Sequence, residues 1–235
     1  MGTTAFSYSA KTELALAGHC FAASITTTCT SLTGTAMVGL GVTTAGISVG
    51  MAVTGSGAAG STYVSAITGA NALTLSVSAT ALTAPTFTGD VFKMLLIKTA
   101  PSGTYTGTQT NVGTPGTAAA SVTNVGTDEA SGTGYTTGGF ALTNISPATG
   151  SSAGFWSFTT NPNWTTATFT TTGANIYNSS VRIGHANGIT ANASGSAINR
   201  CISYHDFAGS QSVTAGTFTV LLPTNAQGTS ILQIS

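Results

Sequence analysis

The sequence predicts an all-β protein with a β-sandwich or jelly-roll-like main domain, a small inserted β module and a short N-terminal helical arm. Three observations predict this class. Threonine, valine and isoleucine are abundant, and their stiff, branched Cβ suits half-buried strands. The 30 glycines divide the chain into short pieces. Apolar segments with the two-residue alternation of strands follow one another at short spacing, without helical segments between them.

The N-terminal arm, residues 1–18, contains the best helical segment, "SAKTELALAG". Ser9 can cap it, Leu14 and Leu16 give it apolar character, and Gly18 can end it. A helix of this length is not stable alone, so we expect it to dock on the rest of the protein.

Residues 19–84 have a different texture, in which short β-like pieces alternate with glycine turns. "TYVSAI" and "ALTLSV" alternate as strands do, and "TGAN" lies between them as a turn. Phe21 and Tyr63 are the only large aromatic residues in this range. The pattern predicts a small, separable β module.

The main domain, residues 85–235, opens with "GDVFKMLLIKTA", a strand predicted to be buried on both faces near "MLLI". A long turn-rich excursion follows, and after it come the segments "FALTNI", "AGFWSFT", "TATFTTTGANIY", "CISYHDF", "GTFTVLLP" and "SILQIS", each predicted as a strand. Aromatic residues concentrate here and are the predicted core and its rim: Phe155, Trp156, Phe158, Trp164, Phe169, Tyr177, Tyr204, Phe207 and Phe218.

Charge is scarce: 4% of the residues are charged and the net charge is zero. Nucleic acid and acidic membrane surfaces require clustered Lys and Arg, so neither is an expected partner. No apolar run reaches the length of a membrane span, and Lys11 and Glu13 interrupt the N-terminal apolar stretch, which makes it a poor signal peptide. A chain with so little charge tends to associate, so we expect a homo-oligomer, a dimer or trimer.

Three sequence patterns resemble enzyme or nucleotide sites but lack the required context. "GSGAAG" (55–60) matches a dinucleotide loop, yet β-forming residues follow it where a helix is needed. Ser48 in "GISVG" and Ser152 in "GSSAG" match the nucleophile elbow, again without a following helix. For Ser48, Asp90 or Asp128 and then His185 or His205 follow in the order of a hydrolase triad, so that interpretation stays open.

Two further groups could carry chemistry. Cys201 and His205 share one face of a predicted strand, but no further metal ligands accompany them, so a hydrogen-bonded histidine is expected. Cys20, Cys29 and Cys201 lack any disulfide or metal spacing and are predicted to be buried free thiols.

Asp128 and Glu129 stand side by side before a run of glycines. Adjacent residues of an extended segment point in opposite directions, so they cannot form a glycosidase pair with each other, and only a pairing of Glu129 with a distant Asp stays open. We expect a structural corner, in which Asp128 bonds the backbone two residues on and the glycines supply positive φ. No catalytic, cofactor-binding or metal-binding residue is therefore predicted, and the chain is not expected to be an enzyme.

Four blocks, in order, resemble a family of tailed-bacteriophage virion proteins that decorate or cement the capsid: "TFTGDVFKMLLIK", "NVGTDEASGTGYTTGGFALTN", "WSFTTNPNWTTATFTTTGANIYN" and "DFAGSQSVTAGTFTVLLP". The resemblance covers roughly residues 84–235 and "YSAKTELALAG", and "SGTGYTTGG" and "NPNWTTATF" are its most specific parts. In that family the helix leads almost directly into the "GDVFKMLLIK" strand, so residues 19–84 resemble an insertion. Ala208 stands where the family has a glycine, in "DFAG".

The resemblance implies a virion structural protein on the capsid exterior that binds and stabilises the major capsid protein shell. It implies no catalytic residue. The alternative is a tail or head fibre module that binds host-surface glycan, for which exposed Tyr63, Tyr105, Tyr135 or Trp164 would supply the aromatic surface.

Overall fold

The computed structural model describes residues 4–15, 18–60, 62–116, 124–180 and 198–234. Within these ranges the chain is built mainly from antiparallel strands, with one α-helix, which confirms the all-β class. The elements are β1 (Thr4–Phe6), α1 (Tyr8–Ala15), β2 (Ile25–Thr26), β3 (Cys29–Thr33), β4 (Ala36–Leu40), β5 (Ala52–Thr54), β6 (Val64–Gly69), β7 (Ala72–Leu75), β8 (Thr86–Thr88), β9 (Phe92–Ile97), β10 (Phe140–Ala141), β11 (Ala148–Thr149), β12 (Gly154–Trp156), β13 (Asn163–Asn178), β14 (Arg200–Thr219) and β15 (Leu232–Ile234).

The main sheet has the strand order β1-β14-β13-β9-β10. Strand β9 contributes the apolar run "MLLI", and its residues Met94 to Ile97 are all buried, as predicted. Met94 and Leu96 pack into one hydrophobic cluster, whereas Leu95 and Ile97 pack into another. The sheet is thus covered on both faces, because alternate side chains of one strand feed two different cores.

The larger of these two clusters carries most of the aromatic residues. It contains Phe21, Phe92, Trp156, Phe158, Trp164 and Phe169, among others. The cluster on the opposite face contains Tyr105, Val112, Val125, Tyr177, Cys201 and Tyr204, partly supplied by the long excursion after β9. A second, three-stranded sheet, β11-β12-β15, brings Trp156 to the larger cluster.

Strand β14 corrects the prediction of two separate strands, "CISYHDF" and "GTFTVLLP". Both belong to one strand that ends at Thr219, so "VLLP" lies beyond it. The intervening glycines mark bulges rather than a break: Gly173 pairs with Asp206 but Thr171 pairs with Gln211, which leaves additional β14 residues between the two pairs. Ala208 has φ +59° within this bulge. The predicted strands "FALTNI", "AGFWSFT" and "SILQIS" are also real but shorter, as β10, β12 and β15.

The part of the chain from β2 to β8 forms two further sheets. One has the order β3-β4-β7-β6 and the other β2-β8-β5. The predicted hairpin of "TYVSAI" and "ALTLSV" is confirmed as β6 and β7, with a turn at Ala70 and Asn71. These sheets enclose a largely aliphatic core that includes Met37, Met51, Val53, Val64, Leu73, Leu75 and Phe87. We call residues 25–88 the module and the other described residues the body.

The chain enters and leaves the module at adjacent positions. Ile25 pairs with Phe87, and the amide of Asp90 donates to the carbonyl of Cys20 at 2.8 Å. Phe21, which the sequence boundary placed in the module, packs in the body against Phe92 and Trp156. Phe87, placed in the main domain, packs in the module's core. Both corrections have the same cause. The positions at which the amino-acid composition changes are not the positions at which the chain passes from the core of the body to the core of the module.

Helix α1 begins one residue before the predicted cap, so Ser9 is a helical residue rather than the cap. Near its end, the amide of Gly18 donates to the carbonyl of Glu13 at 2.6 Å. Leu16 lies outside the described residues. Ala10 and Glu13 are buried, so the helix docks on the body as its length requires. No helix in the described ranges is long and apolar enough to cross a membrane.

Candidate functional site: buried charges and an uncharged surface

The two serines in elbow-like sequences are not placed for nucleophilic catalysis. Ser48 lies in a turn, with its Oγ 3.2 Å from Sγ of Cys20. Ser152 is exposed and its Oγ accepts a hydrogen bond from Gln227. His205 instead has its Nε2 2.9 Å from Oγ of Ser203, and His185 lies outside the described residues. Among described residues, therefore, neither serine is hydrogen-bonded to a histidine.

The remaining sequence candidates have structural surroundings. "GSGAAG" forms turns, and Gly57 at φ +85° lies against the carbonyl of Thr80. Cys201 is fully buried in a core. All three cysteines are free, and Cys20 is buried, but Cys29 is only half-buried because it lies on β3, an edge strand; this corrects its prediction. The described residues contain no group of three or more His, Cys, Asp or Glu that could hold a metal ion.

Asp128 is completely buried and holds the loop that follows β9. Its carboxylate accepts hydrogen bonds from the amides of Ser102 and Gly103 and from the Tyr105 hydroxyl, at 2.9, 2.8 and 2.6 Å. Nζ of Lys98 lies 3.0 Å away. Burial alone would raise the pKa of Asp128, but these donors together lower it to about 2. The expected local turn two residues on is wrong, because the partners lie about 25 residues earlier in the chain.

Glu129 holds a different loop. Its Oε1 accepts hydrogen bonds from the Tyr135 hydroxyl at 2.7 Å and the Gly138 amide at 2.6 Å. Burial raises its pKa, and these two bonds offset the rise only in part. Gly138 and Gly139 have φ of +89° and +75°, so the glycines supply positive φ as predicted. Opposite pKa shifts of neighbouring carboxylates are typical of acid–base pairs. Here, however, each carboxylate is enclosed by its own loop, which indicates two structural anchors.

A buried polar cluster at the base of the body, where α1 meets the ends of β13 and β14, was not predicted from the sequence. Nε2 of His19 lies 2.8 Å from Oε2 of Glu13, and Nη1 of Arg200 lies 3.7 Å from the same oxygen. Nδ2 of Asn178 lies 2.9 Å from Nδ1 of His19 and donates to Asp90 at 2.6 Å. We call these five residues the basal cluster; all of them are buried.

The geometry of the basal cluster determines the state of His19. Nδ2 of Asn178 can only donate, so Nδ1 of His19 accepts and the proton of the neutral ring lies on Nε2, which faces Oε2 of Glu13. Burial lowers the pKa of His19, and the neighbouring Glu13 carboxylate opposes this shift. The cluster joins α1, the entry to β9, β13 and β14, and so it attaches the helical arm to the main sheet. Most of its contacts join residues far apart in the chain, although Glu13 and His19 are close in sequence. The one sequence signal was that three charged residues of an almost uncharged chain occupy otherwise apolar surroundings.

These arrangements leave little charge on the surface. The chain has five basic and five acidic residues, ten in all, and Arg182 is the one outside the described ranges. Of the other nine, five are buried and three are half-buried, and only Lys11 is exposed. Charged residues are ordinarily the most exposed in a protein. In this chain the five buried ones hold loops or form the basal cluster, whereas hydroxyl groups, backbone and apolar side chains form most of the surface.

The four aromatic residues proposed for glycan binding are not a shared exposed surface. Tyr105 and Trp164 are buried, which corrects that expectation. Tyr135 is half-buried, stacks on Trp164 with ring centroids 6.0 Å apart and is hydrogen-bonded through its hydroxyl. Tyr63 is half-buried in the module. The rings of Tyr105, Tyr135 and Trp164 pack in or against the cores of the body instead.

No family model, curated protein or solved structure matches this chain.

Proposed function

We propose that the protein is a bacteriophage virion structural protein, a capsid decoration or cement protein that binds the shell of the major capsid protein from outside. It acts mechanically, as an oligomer that bridges neighbouring shell subunits. Many weak contacts repeated over a symmetric shell give strong retention through multivalency.

The uncharged surface carries this proposal. A surface of hydroxyl and apolar groups can be covered by a partner without the desolvation cost of buried charge. The exposed large apolar residues include Tyr8, Leu221 and Ile234, at 62%, 78% and 64% exposure. Such exposed groups on a nearly neutral protein favour association over an isolated existence.

The blocks that carry the family resemblance support it further. The two most specific ones meet in space: Thr133 pairs with Thr168, and Tyr135 packs against Trp164 and Phe169. The two blocks together form one packed corner of the body, in which Glu129 holds the loop of the first block. This pattern fits a resemblance based on a shared scaffold rather than on shared catalytic residues.

The alternative is a fibre module, which would be present in fewer copies than a decoration protein. Two of the four aromatic residues expected to bind glycan, Tyr105 and Trp164, are buried. The test is quantitative mass spectrometry of purified particles of the phage that encodes the chain. A decoration protein is expected in hundreds of copies, at a fixed ratio to the major capsid protein, and a fibre module in few. Absence from particles, or a copy number typical of a tail fibre, would contradict the proposal.

A further inference from the structure

An apolar groove lies between α1 and β15, on the side of the body that carries the helical arm. It has a volume of about 700 Å³ and is lined by Phe6, Lys11, Leu14, Ala15 and residues 231–234. A second pocket of about 260 Å³ adjoins it, shares Leu14, Leu232 and Ile234, and reaches Phe21 and Trp156. The larger one has the size of an ordinary ligand-binding pocket.

An unpaired strand edge borders the groove. Among the described strands β15 pairs only with β12, so its other edge has no partner. Four consecutive residues, 231–234, line the groove. Because alternate side chains of a strand point to opposite faces, a run of neighbours lines one space only where the strand presents its edge to it. The groove therefore offers backbone hydrogen-bonding groups together with apolar wells.

The only exposed charge of the described residues lies at this groove. Lys11 lines it, with Nζ 5.4 Å from the centre of the Tyr8 ring, and none of the described acidic residues is paired with it. Exposed open edges are commonly protected by charge, and they are also the usual site for strand addition. A single cation on a neutral surface selects for an anionic group on whatever occupies the groove.

We propose that this groove binds an extended, acidic segment of a partner protein. The segment adds to the free edge of β15 as a further strand, places alternate apolar side chains in the two wells and sets a carboxylate on Lys11. The chemistry of the occupant follows from the groove alone; its assignment to a shell subunit rests on the proposed function.

A display selection of random nonapeptides against the purified protein tests the proposal. We expect enriched peptides that alternate apolar residues and carry Asp or Glu at one fixed position. The affinity of a synthetic winner, followed by the fluorescence of Trp156, is expected to fall about tenfold or more for Lys11→Glu and for Ile234→Ser. Thr12→Glu, which also introduces a carboxylate but one residue on, is the control and is expected to bind normally.

Repeating the selection on Lys11→Glu is the sharpest arm, because enrichment is expected to change from acidic to basic peptides. Three outcomes would overturn the proposal: no enriched peptide, enrichment without an acidic position, or binding unaffected by both variants. Self-association that Ile234→Ser abolishes, with no peptide selected, would also overturn it by identifying a second copy as the occupant. The copy number of the protein on particles is independent of all these results, so failure here is distinguishable from failure of the capsid proposal.

Discussion

The body and the module use different means to hold their loops. Every described Asp, Glu, Lys, Arg and His lies in the body, which buries several of them as anchors such as Asp128 and the basal cluster. The module, residues 25–88, contains none. Its turns depend on glycine and on neutral bonds, such as those that Asn71 donates to the carbonyls of Leu40 and Val42.

Their cores differ in the same way. The body's larger cluster is rich in aromatic residues, whereas Phe87 is the aromatic residue of the module's cluster. The comparison indicates that one chain contains two regions with separate cores, of which only the body depends on ionisation.

Truncation of an aromatic residue in the body has the largest expected effect. Trp156 is fully buried and its ring lies 4.0 Å from Phe21 and 4.4 Å from Phe158, centroid to centroid. Trp156→Ala is expected to lower the free energy of unfolding of the body by about 3–5 kcal/mol. Denaturant unfolding measures the loss. The exposed Ile67→Ala in the module is the control; a cost below about 1 kcal/mol for Trp156→Ala would contradict the assigned core.

Neutralising a buried anchor is expected to have the next-largest effect on stability. Asp128→Asn removes one acceptor oxygen and the attraction to Lys98, and we expect a loss of about 2–3 kcal/mol in the unfolding free energy. Asp206→Asn is the matched control, because Asp206 is half-buried and its side chain accepts a bond from the amide of Ala208. Its expected cost is under about 1 kcal/mol. A hydrolytic activity that collapses in Asp128→Asn would refute the structural interpretation.

Acidification is expected to weaken the body and spare the module. Burial lowers the pKa of His205 to about 4, so its contribution is present above the unfolded value and is lost as the pH falls from about 6.5 to 4. Asp128, with a pKa of about 2, loses its contribution as the pH falls from about 4 to 2. Each loss is on the order of 2 kcal/mol.

Hydrogen exchange followed by mass spectrometry separates the two regions during this titration. Peptides from β9 and β13 are expected to lose protection between pH 6.5 and 4, after correction for the intrinsic exchange rate, and peptides from β4 and β7 are not. Equal loss in both regions would show that the cores unfold together and would break the distinction.

The smallest expected effect concerns the β14 bulge. Ala208 has φ +59°, a conformation that costs an L-residue about 1–2 kcal/mol and glycine almost nothing. Ala208→Gly is therefore expected to leave stability unchanged or to raise it by up to about 1 kcal/mol. Ala174→Gly, at a buried, regularly paired position of β13, is expected to destabilise. Similar losses for both substitutions would exclude strain at Ala208.

Local signals predicted much of this fold. The run "MLLI" predicted a doubly covered β9, and alternation predicted the β6–β7 hairpin, because both features are encoded within a few neighbouring residues. Strand β14 was divided in the prediction because Gly209 and Gly216 are typical of turns, and only pairing with β13 shows that they belong to a bulged strand.

The polar anchors were harder to predict for a physical reason. The partners of Asp128 lie about 25 residues away, and Glu13 pairs with nearby His19 and with Arg200, near the other end of the chain. The identity of a buried charge's partner depends on the tertiary fold, and one sequence contains no pattern that encodes it. The scarcity of charged residues was nevertheless visible in the sequence, and the buried ones proved to mark the structural anchors of the body.

Replacing residues 25–87 with a short Gly-Ser linker tests the separation of the two regions most directly. Ser24 and Thr88 flank the Ile25–Phe87 pair, so a short linker can close the gap, and Phe21 stays in the body's core. The account predicts that the variant retains a cooperative thermal unfolding transition, with the buried-tryptophan fluorescence of Trp156 and Trp164. An absent cooperative transition, with solvent-exposed tryptophan emission at all temperatures, would show that the module is an integral part of the body's fold and would contradict the account.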